Sequence, residues 1–226
     1  MSSILRSTVV AVVVSPLLVW SGMTAAHEAH DHASGPAAGY AFPLPEPGSY
    51  RLPPLRFASG GSVLKQDGDP VDLGALLRDR ITVFSFIYTR CADLCPLATA
   101  RLAQFQDLAA EDPALDEKLQ LLSISFDPDH DTPKVMAEYA SAWSRPEGGP
   151  EWLFITTSGS GALAPILKAY DQAVDVNPDA ADPTGGLNHV LRAFLIDAGG
   201  AIRNVYSLDF LDPELVLTDV RTLLLE

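Results

Sequence analysis

The run Arg80-Ile81-Thr82-Val83-Phe84-Ser85-Phe86-Ile87-Tyr88 constrains this chain more than any other segment. It is rich in β-branched and aromatic residues and does not alternate polar with apolar, so it reads as a strand buried on both faces. Such a strand needs a layer of structure on each side, and the sequence downstream supplies them. Pro96 to Ala110 carries Leu97, Ala100, Leu102, Phe105 and Leu108 at helical spacing, and Leu119 to Phe126 is a second strand. Thr132-Pro133 offers an N-cap and a proline at the first helical position, opening a helix to about Trp143. Trp152 to Thr156 reads as a third strand, and Gly161 to Tyr170 as a short helix that Pro165 must interrupt or begin. Val190 to Ile196 and Ala201 to Leu208 flank Asp197-Ala198-Gly199-Gly200, a β-hairpin signal, and Pro213 to Leu225 closes as an amphipathic helix. The expected class is α/β: one domain with a mixed central sheet flanked by helices, ending in a β-hairpin and a helix.

Ahead of this domain the chain changes character twice. Arg6 is the lone charge in residues 1–26, followed by the apolar stretch Val9 to Val14, Leu17-Leu18-Val19-Trp20, and the small residues Thr24-Ala25-Ala26. This order matches a signal peptide with cleavage after Ala26. The alternative is an uncleaved membrane anchor, since Ser7 to Ala26 is 20 residues without a charge. Pro16, Ser15, Ser21, Gly22 and Thr24 dilute that stretch and favour cleavage. Both readings place the body outside the cytoplasm, in a periplasmic or other extracytoplasmic compartment. Residues 27–54 read as a His-rich and Pro-rich tether. His27 to His32 spells H-E-A-H-D-H, and six of the 18 prolines fall between Pro36 and Pro54. The folded domain is expected over residues 55–226.

Charge and composition exclude several functions. The chain has 15 Lys+Arg against 29 Asp+Glu, a formal net charge of −14, which leaves no basic face for nucleic acid. Two cysteines in 226 residues do not make a disulfide-stapled mini-fold, and three methionines do not make a Met-rich copper site. No Ser-His-Asp order, phosphate-cradling glycine loop or HExxH is present.

Chemistry concentrates in Tyr88-Thr89-Arg90-Cys91-Ala92-Asp93-Leu94-Cys95-Pro96, where the buried strand hands over to a helix. A helix N-terminus favours thiolate over thiol; Arg90 pushes the same way and Asp93 opposes it. Cysteines four apart meet on one helical face, a spacing that suits a shared metal or, with slight distortion, a disulfide. A purely structural disulfide is the plainer reading, but so short a loop gains little from closure. C-x₃-C is also not the C-x-x-C of thioredoxin-type enzymes. Two thiolates need a further ligand, and there are five histidines. His189 ends Gly185-Gly186-Leu187-Asn188-His189 and leads into a strand, where it is either an ordinary loop histidine or a third ligand. Two soft sulfurs and an imidazole fit Cu(I), hold Cu(II) with an added oxygen, and leave zinc one ligand short. His130, among Asp127, Asp129 and Asp131, reads as part of a strand-to-helix loop capped by Asp131 or Thr132. His27, His30 and His32 are an auxiliary metal sink or a solvated tail, and cleavage after Ala26 would add the free amine of His27.

The pattern from Leu55 to Glu226 resembles the SCO/SenC family of thioredoxin-like copper proteins. Three strings carry the resemblance: Phe84 to Pro96, Ser125-Phe126-Asp127-Pro128-Asp129-His130-Asp131-Thr132-Pro133, and Asn188-His189 leading to Phe194-Leu195-Ile196-Asp197. Ala92 stands where many members have proline, and Asn188 where aspartate often precedes the histidine. The resemblance implies a thioredoxin-like fold with Cys91, Cys95 and His189 around one copper ion. It also implies a role in delivering copper to, or reducing the thiols of, the binuclear copper site of cytochrome c oxidase. The leading expectation is thus a metallochaperone rather than an enzyme, served by a thiol reductase that keeps the cysteines reduced. The alternatives are a thiol–disulfide oxidoreductase in which Cys91 and Cys95 are the catalytic redox pair, and an inert exported domain with a structural disulfide.

Overall fold

The computed structural model describes residues 43–91, 94–143, 145, 148–176 and 187–226. The predicted central strand is β4 (Ile81–Ile87), every residue of which is buried. Among the described residues nine further strands and five α-helices accompany it. The first are β1 (Arg56–Phe57), β2 (Ser62–Leu64), β3 (Pro70–Asp72) and α1 (Leu73–Leu76). After β4 come α2 (Leu94–Ala109), β5 (Leu119–Ser125), α3 (Pro133–Trp143), β6 (Glu151–Ile155) and α4 (Ser160–Ala169). The remainder are β7 (Val174–Val176), β8 (Leu187–His189), β9 (Arg192–Ile196), β10 (Ala201–Ser207) and α5 (Pro213–Leu224). Six strands form one sheet in the order β1-β10-β9-β4-β5-β6. β4, β5 and β6 run parallel, while β9, β10 and β1 continue the sheet antiparallel, giving the expected mixed topology.

Alternate residues of β4 serve two cores, one on each face of the sheet. Ile81, Val83 and Ile87 join Leu102 and Phe105 of α2, Met136 and Ala140 of α3, and Val216, Leu217 and Val220 of α5. Phe84 and Phe86 join Leu73, Leu163, Ile166, Tyr170 and Phe194 on the other face. Phe84 meets Tyr170 and Phe86 edge-on, each with ring centroids 5.0 Å apart. Where a polar residue enters this buried strand it is paired: Ser85 and Ser123 share a hydrogen bond of 2.8 Å, and Trp152 Nε1 donates to Ser123 at 3.0 Å.

The structure corrects several expectations. α4 runs through Pro165 without a break. The proline, sixth of the ten residues, forgoes one bond in the middle of the helix, and the fully buried Ile166 beside it anchors the segment. The first strand of the C-terminal hairpin does not begin at Val190, which is 53% exposed; β9 starts at Arg192, and Leu187–His189 pairs with Val174–Val176 in a separate two-stranded ribbon. The β2–β3 hairpin escaped the sequence reading although Asp67-Gly68 marks it, with Gly68 at φ +88°. The compact unit also begins ahead of Leu55. The Tyr50 hydroxyl donates to Asp219, the Gly48 N–H to Thr222 Oγ1 at 3.0 Å and the Leu52 N–H to Glu226 at 3.1 Å. Prolines deny this stretch a core of its own but not hydrogen bonds to α5. Residues 1–42, with the expected signal and His27, His30 and His32, lie outside the described residues. Among the described residues no helix is long and apolar enough to cross a membrane.

Candidate metal centre

β4 delivers Tyr88, 1% exposed, to the end of the central strand, and the Cys91 N–H turns back to the Tyr88 carbonyl at 3.3 Å. α2 starts at Leu94, two residues before the proline expected to open it. The Cys95 N–H donates to Cys91 Sγ at 3.3 Å, so a sulfur does the work usually given to a capping hydroxyl. Cys91 is 8% and Cys95 0% exposed, and both are thiols.

His189 reaches this pair from the β7–β8 ribbon. Its Nε2 lies 3.6 Å from Cys95 Sγ, across 94 residues of sequence. The imidazole packs on Phe126 with ring centroids 4.4 Å apart and meets Tyr88 edge-on at 6.1 Å. Its Nδ1 is buried without a hydrogen-bond partner among the described residues. Burial pushes the His189 pKa down, with Cys91 and the Val190 backbone opposing, so the ring is neutral at pH 7 and offers a lone pair. The Cys91 sulfur and burial together push the Cys95 thiol well above the ordinary thiol range. Two adjacent sulfurs and a neutral imidazole form a soft donor set that fits copper, with Nε2 the ring nitrogen turned toward Cys95.

The Asp127-to-Asp131 loop braces the site from below. Asp131 is fully buried and accepts hydrogen bonds from the Thr89 N–H (3.0 Å), the Thr89 hydroxyl (2.5 Å) and the Ser125 hydroxyl (2.5 Å). Its Oδ1 also lies 3.0 Å from His130 Nδ1. Asp127, His130 and Asp131 converge within 4.8 Å, but these carboxylates are already engaged. The capping role falls to Thr132, whose carbonyl accepts from Met136 at 2.9 Å. Asp131 turns inward instead, a role that the sequence marked only by its place beside the helix start. Arg90 also differs from expectation. Asp127 holds its guanidinium at 2.6 Å, so its charge is spent on a carboxylate rather than on the thiols.

A mixed sheet with a dithiol at the end of its central strand and an imidazole returned from a later ribbon defines a thioredoxin-like domain with a sulfur–nitrogen centre. The chain belongs to the SCO1/SenC family, whose profile matches residues 58–225. It is 26% identical over 165 residues to the SCO1 protein homolog of Bacillus subtilis, covering 73% of this chain and 77% of the relative. Among solved structures, a SCO1/SenC family lipoprotein from Bacillus anthracis superposes with a TM-score of 0.66 at 26% identity, over 77% of this chain and 99% of that one. Arabidopsis thaliana ScoI, solved with copper bound, superposes with a TM-score of 0.64 at 20% identity, over 74% and 98%.

Proposed function

We propose that this chain is an exported copper carrier. In this reading residues 1–26 direct export, the His-rich and Pro-rich stretch between them and Gly48 tethers the domain, and Cys91, Cys95 and His189 hold one copper ion as cargo. The approach of His189 Nε2 to within 3.6 Å of Cys95 Sγ carries the proposal. Family membership and the copper bound by the Arabidopsis relative support it. The ion passes by ligand exchange to a copper enzyme, and the family resemblance supports the binuclear copper site of cytochrome c oxidase as that acceptor. Each residue has a defined task. Cys95 gives up a proton that the Cys91 sulfur and burial make it hold tightly, His189 contributes a ring that is already neutral, and Cys91, the more exposed residue, is the donor an acceptor meets first. A thiol reductase partner is needed where the compartment oxidises thiols. His27, His30 and His32 gather copper ahead of the core site.

The test is Cu(I) titration of the reduced full chain carrying His27, His30 and His32 as alanines, beside the same protein with His189→Ala. One tightly held copper that weakens sharply without His189 supports the three-ligand carrier. Binding indifferent to both Cys91→Ala and His189→Ala ends it.

The contact between the two sulfurs favours a second reading, thiol–disulfide exchange. Closure of the Cys91–Cys95 bond would release two electrons and two protons, converting a partner's disulfide into two thiols. His189→Ala should leave that exchange intact, which separates it from copper carriage.

A further inference from the structure

The ribbon that carries His189 is not part of the six-stranded sheet, so its position over the thiols needs its own explanation. β8 pairs with β7 through Val174↔His189 and Val176↔Leu187, which fixes the ribbon internally but not against the cysteines. Tyr88 supplies the missing link. It sits at the end of β4, three residues before Cys91, and is almost completely buried. Its phenol donates to the Leu187 carbonyl at 3.4 Å, two residues before His189, and is within hydrogen-bonding reach of the Cys91 sulfur. Its ring meets the imidazole edge-on and packs on Phe126 with centroids 4.8 Å apart. One side chain thus touches the backbone of the histidine strand, the histidine ring and the neighbourhood of one thiol.

We propose that Tyr88 is the positioning residue of the metal centre, its buried phenol tying the Leu187–His189 strand to the cysteine loop so that His189 faces Cys95. The inference rests on the copper-carrier reading above. The ring would remain in Tyr88→Phe, so Phe126 and His189 keep their packing, while the hydrogen bond to Leu187 is lost. The consequence is a ribbon whose histidine is less often in register with the thiols, not a domain that fails to fold.

The experiment is a double-mutant cycle on the reduced full chain with His27, His30 and His32 as alanines. Cu(I) affinity is measured for the starting protein, Tyr88→Phe, His189→Ala and the pair, with amide hydrogen exchange of the metal-free proteins as a second readout. Tyr170→Phe serves as the control, because it removes another buried phenol, bonded to the Ser59 carbonyl at 3.0 Å, away from the thiols. Tyr88→Phe should bind one copper with affinity about three- to tenfold lower, the size of one lost hydrogen bond. It should also exchange faster at Leu187 to His189, and it should have no further effect once His189 is alanine. Tyr170→Phe should leave affinity unchanged. Wild-type affinity and exchange in Tyr88→Phe overturn the positioning role, as does an equal loss in the His189→Ala background. If His189→Ala itself binds copper like the starting protein, the three-ligand reading fails and this proposal with it. That outcome is told apart by appearing in the absence of any change at Tyr88.

Discussion

Asp131 binds Thr89 twice, accepting from its backbone N–H at 3.0 Å and its hydroxyl at 2.5 Å, and so clamps the residue two positions before Cys91 to the loop that opens α3. Because Asp131 is fully buried, its removal strands donors on Thr89 and Ser125 together. Asp131→Ala is expected to lower the unfolding free energy by about 3 kcal/mol or more, with Asp131→Asn milder because it keeps one acceptor oxygen. Urea unfolding of both variants checks this, and a near-neutral Asp131→Ala would deny the clamp.

Phe84 lies at the centre of the second core, between Phe86, Tyr170 and Phe194. Phe84→Ala should cost about 3–5 kcal/mol in unfolding free energy through lost burial and the cavity left behind. Phe57→Ala, at a side chain 79% exposed, is the contrasting case and should stay within about 0.5 kcal/mol.

Tyr50 fastens the segment ahead of Leu55 to Asp219, which also accepts from Tyr206 at 2.6 Å and Asn204 at 2.9 Å. Burial and the Asp219 carboxylate push the Tyr50 pKa up to about 12. Tyr50→Phe leaves Asp219 with its other two donors, so the expected loss is about 1 kcal/mol. Limited proteolysis should show earlier cleavage within residues 43–54 while the rest of the domain resists.

Alkaline pH should destabilise the metal-free protein. The Cys91 sulfur and burial raise the Cys95 pKa above its ordinary 9.0, and burial raises those of Tyr170 and Tyr206 above 10.0. Above about pH 9 the unfolded chain releases protons that the folded chain keeps. The folded state then binds more protons, and stability falls as pH rises. Melting temperatures at pH 7 and pH 10 measure the effect, and a rise at pH 10 would contradict it. The same raised Cys95 pKa means that Cu(I) loading at pH 7 should expel at least one proton, readable in weakly buffered solution.

Much of the architecture was legible because it rests on local pattern. β4, β5, α3, the C-terminal hairpin and α5 were each visible from apolar runs, the Thr132-Pro133 start and the Asp197–Gly200 turn. The turn closes as the sequence implies: Gly200 sits at φ +84° and its N–H donates to the Asp197 carbonyl at 2.9 Å. The elements that went unread, β1 to β3, α1, β7 and β8, have two to four residues each, too few to show a period. Docking of Gly48, Tyr50 and Leu52 was invisible for another reason. Its partners Asp219, Thr222 and Glu226 lie some 170 positions further along the chain.

The sequence by itself determined the α/β class, the dithiol at the end of a buried strand and the identity of its two sulfurs, because hydrophobic run, helix start and cysteine spacing are all encoded within a few neighbouring residues. Which histidine meets those sulfurs was decided by tertiary structure. His189 comes from a ribbon outside the main sheet, while His130, nearer in sequence, is turned toward Asp131. The way Tyr88, Phe126 and Asp131 hold the site was decided there too. Hydrogen bonds and ring contacts between residues tens of positions apart depend on how layers pack, and no local pattern records them.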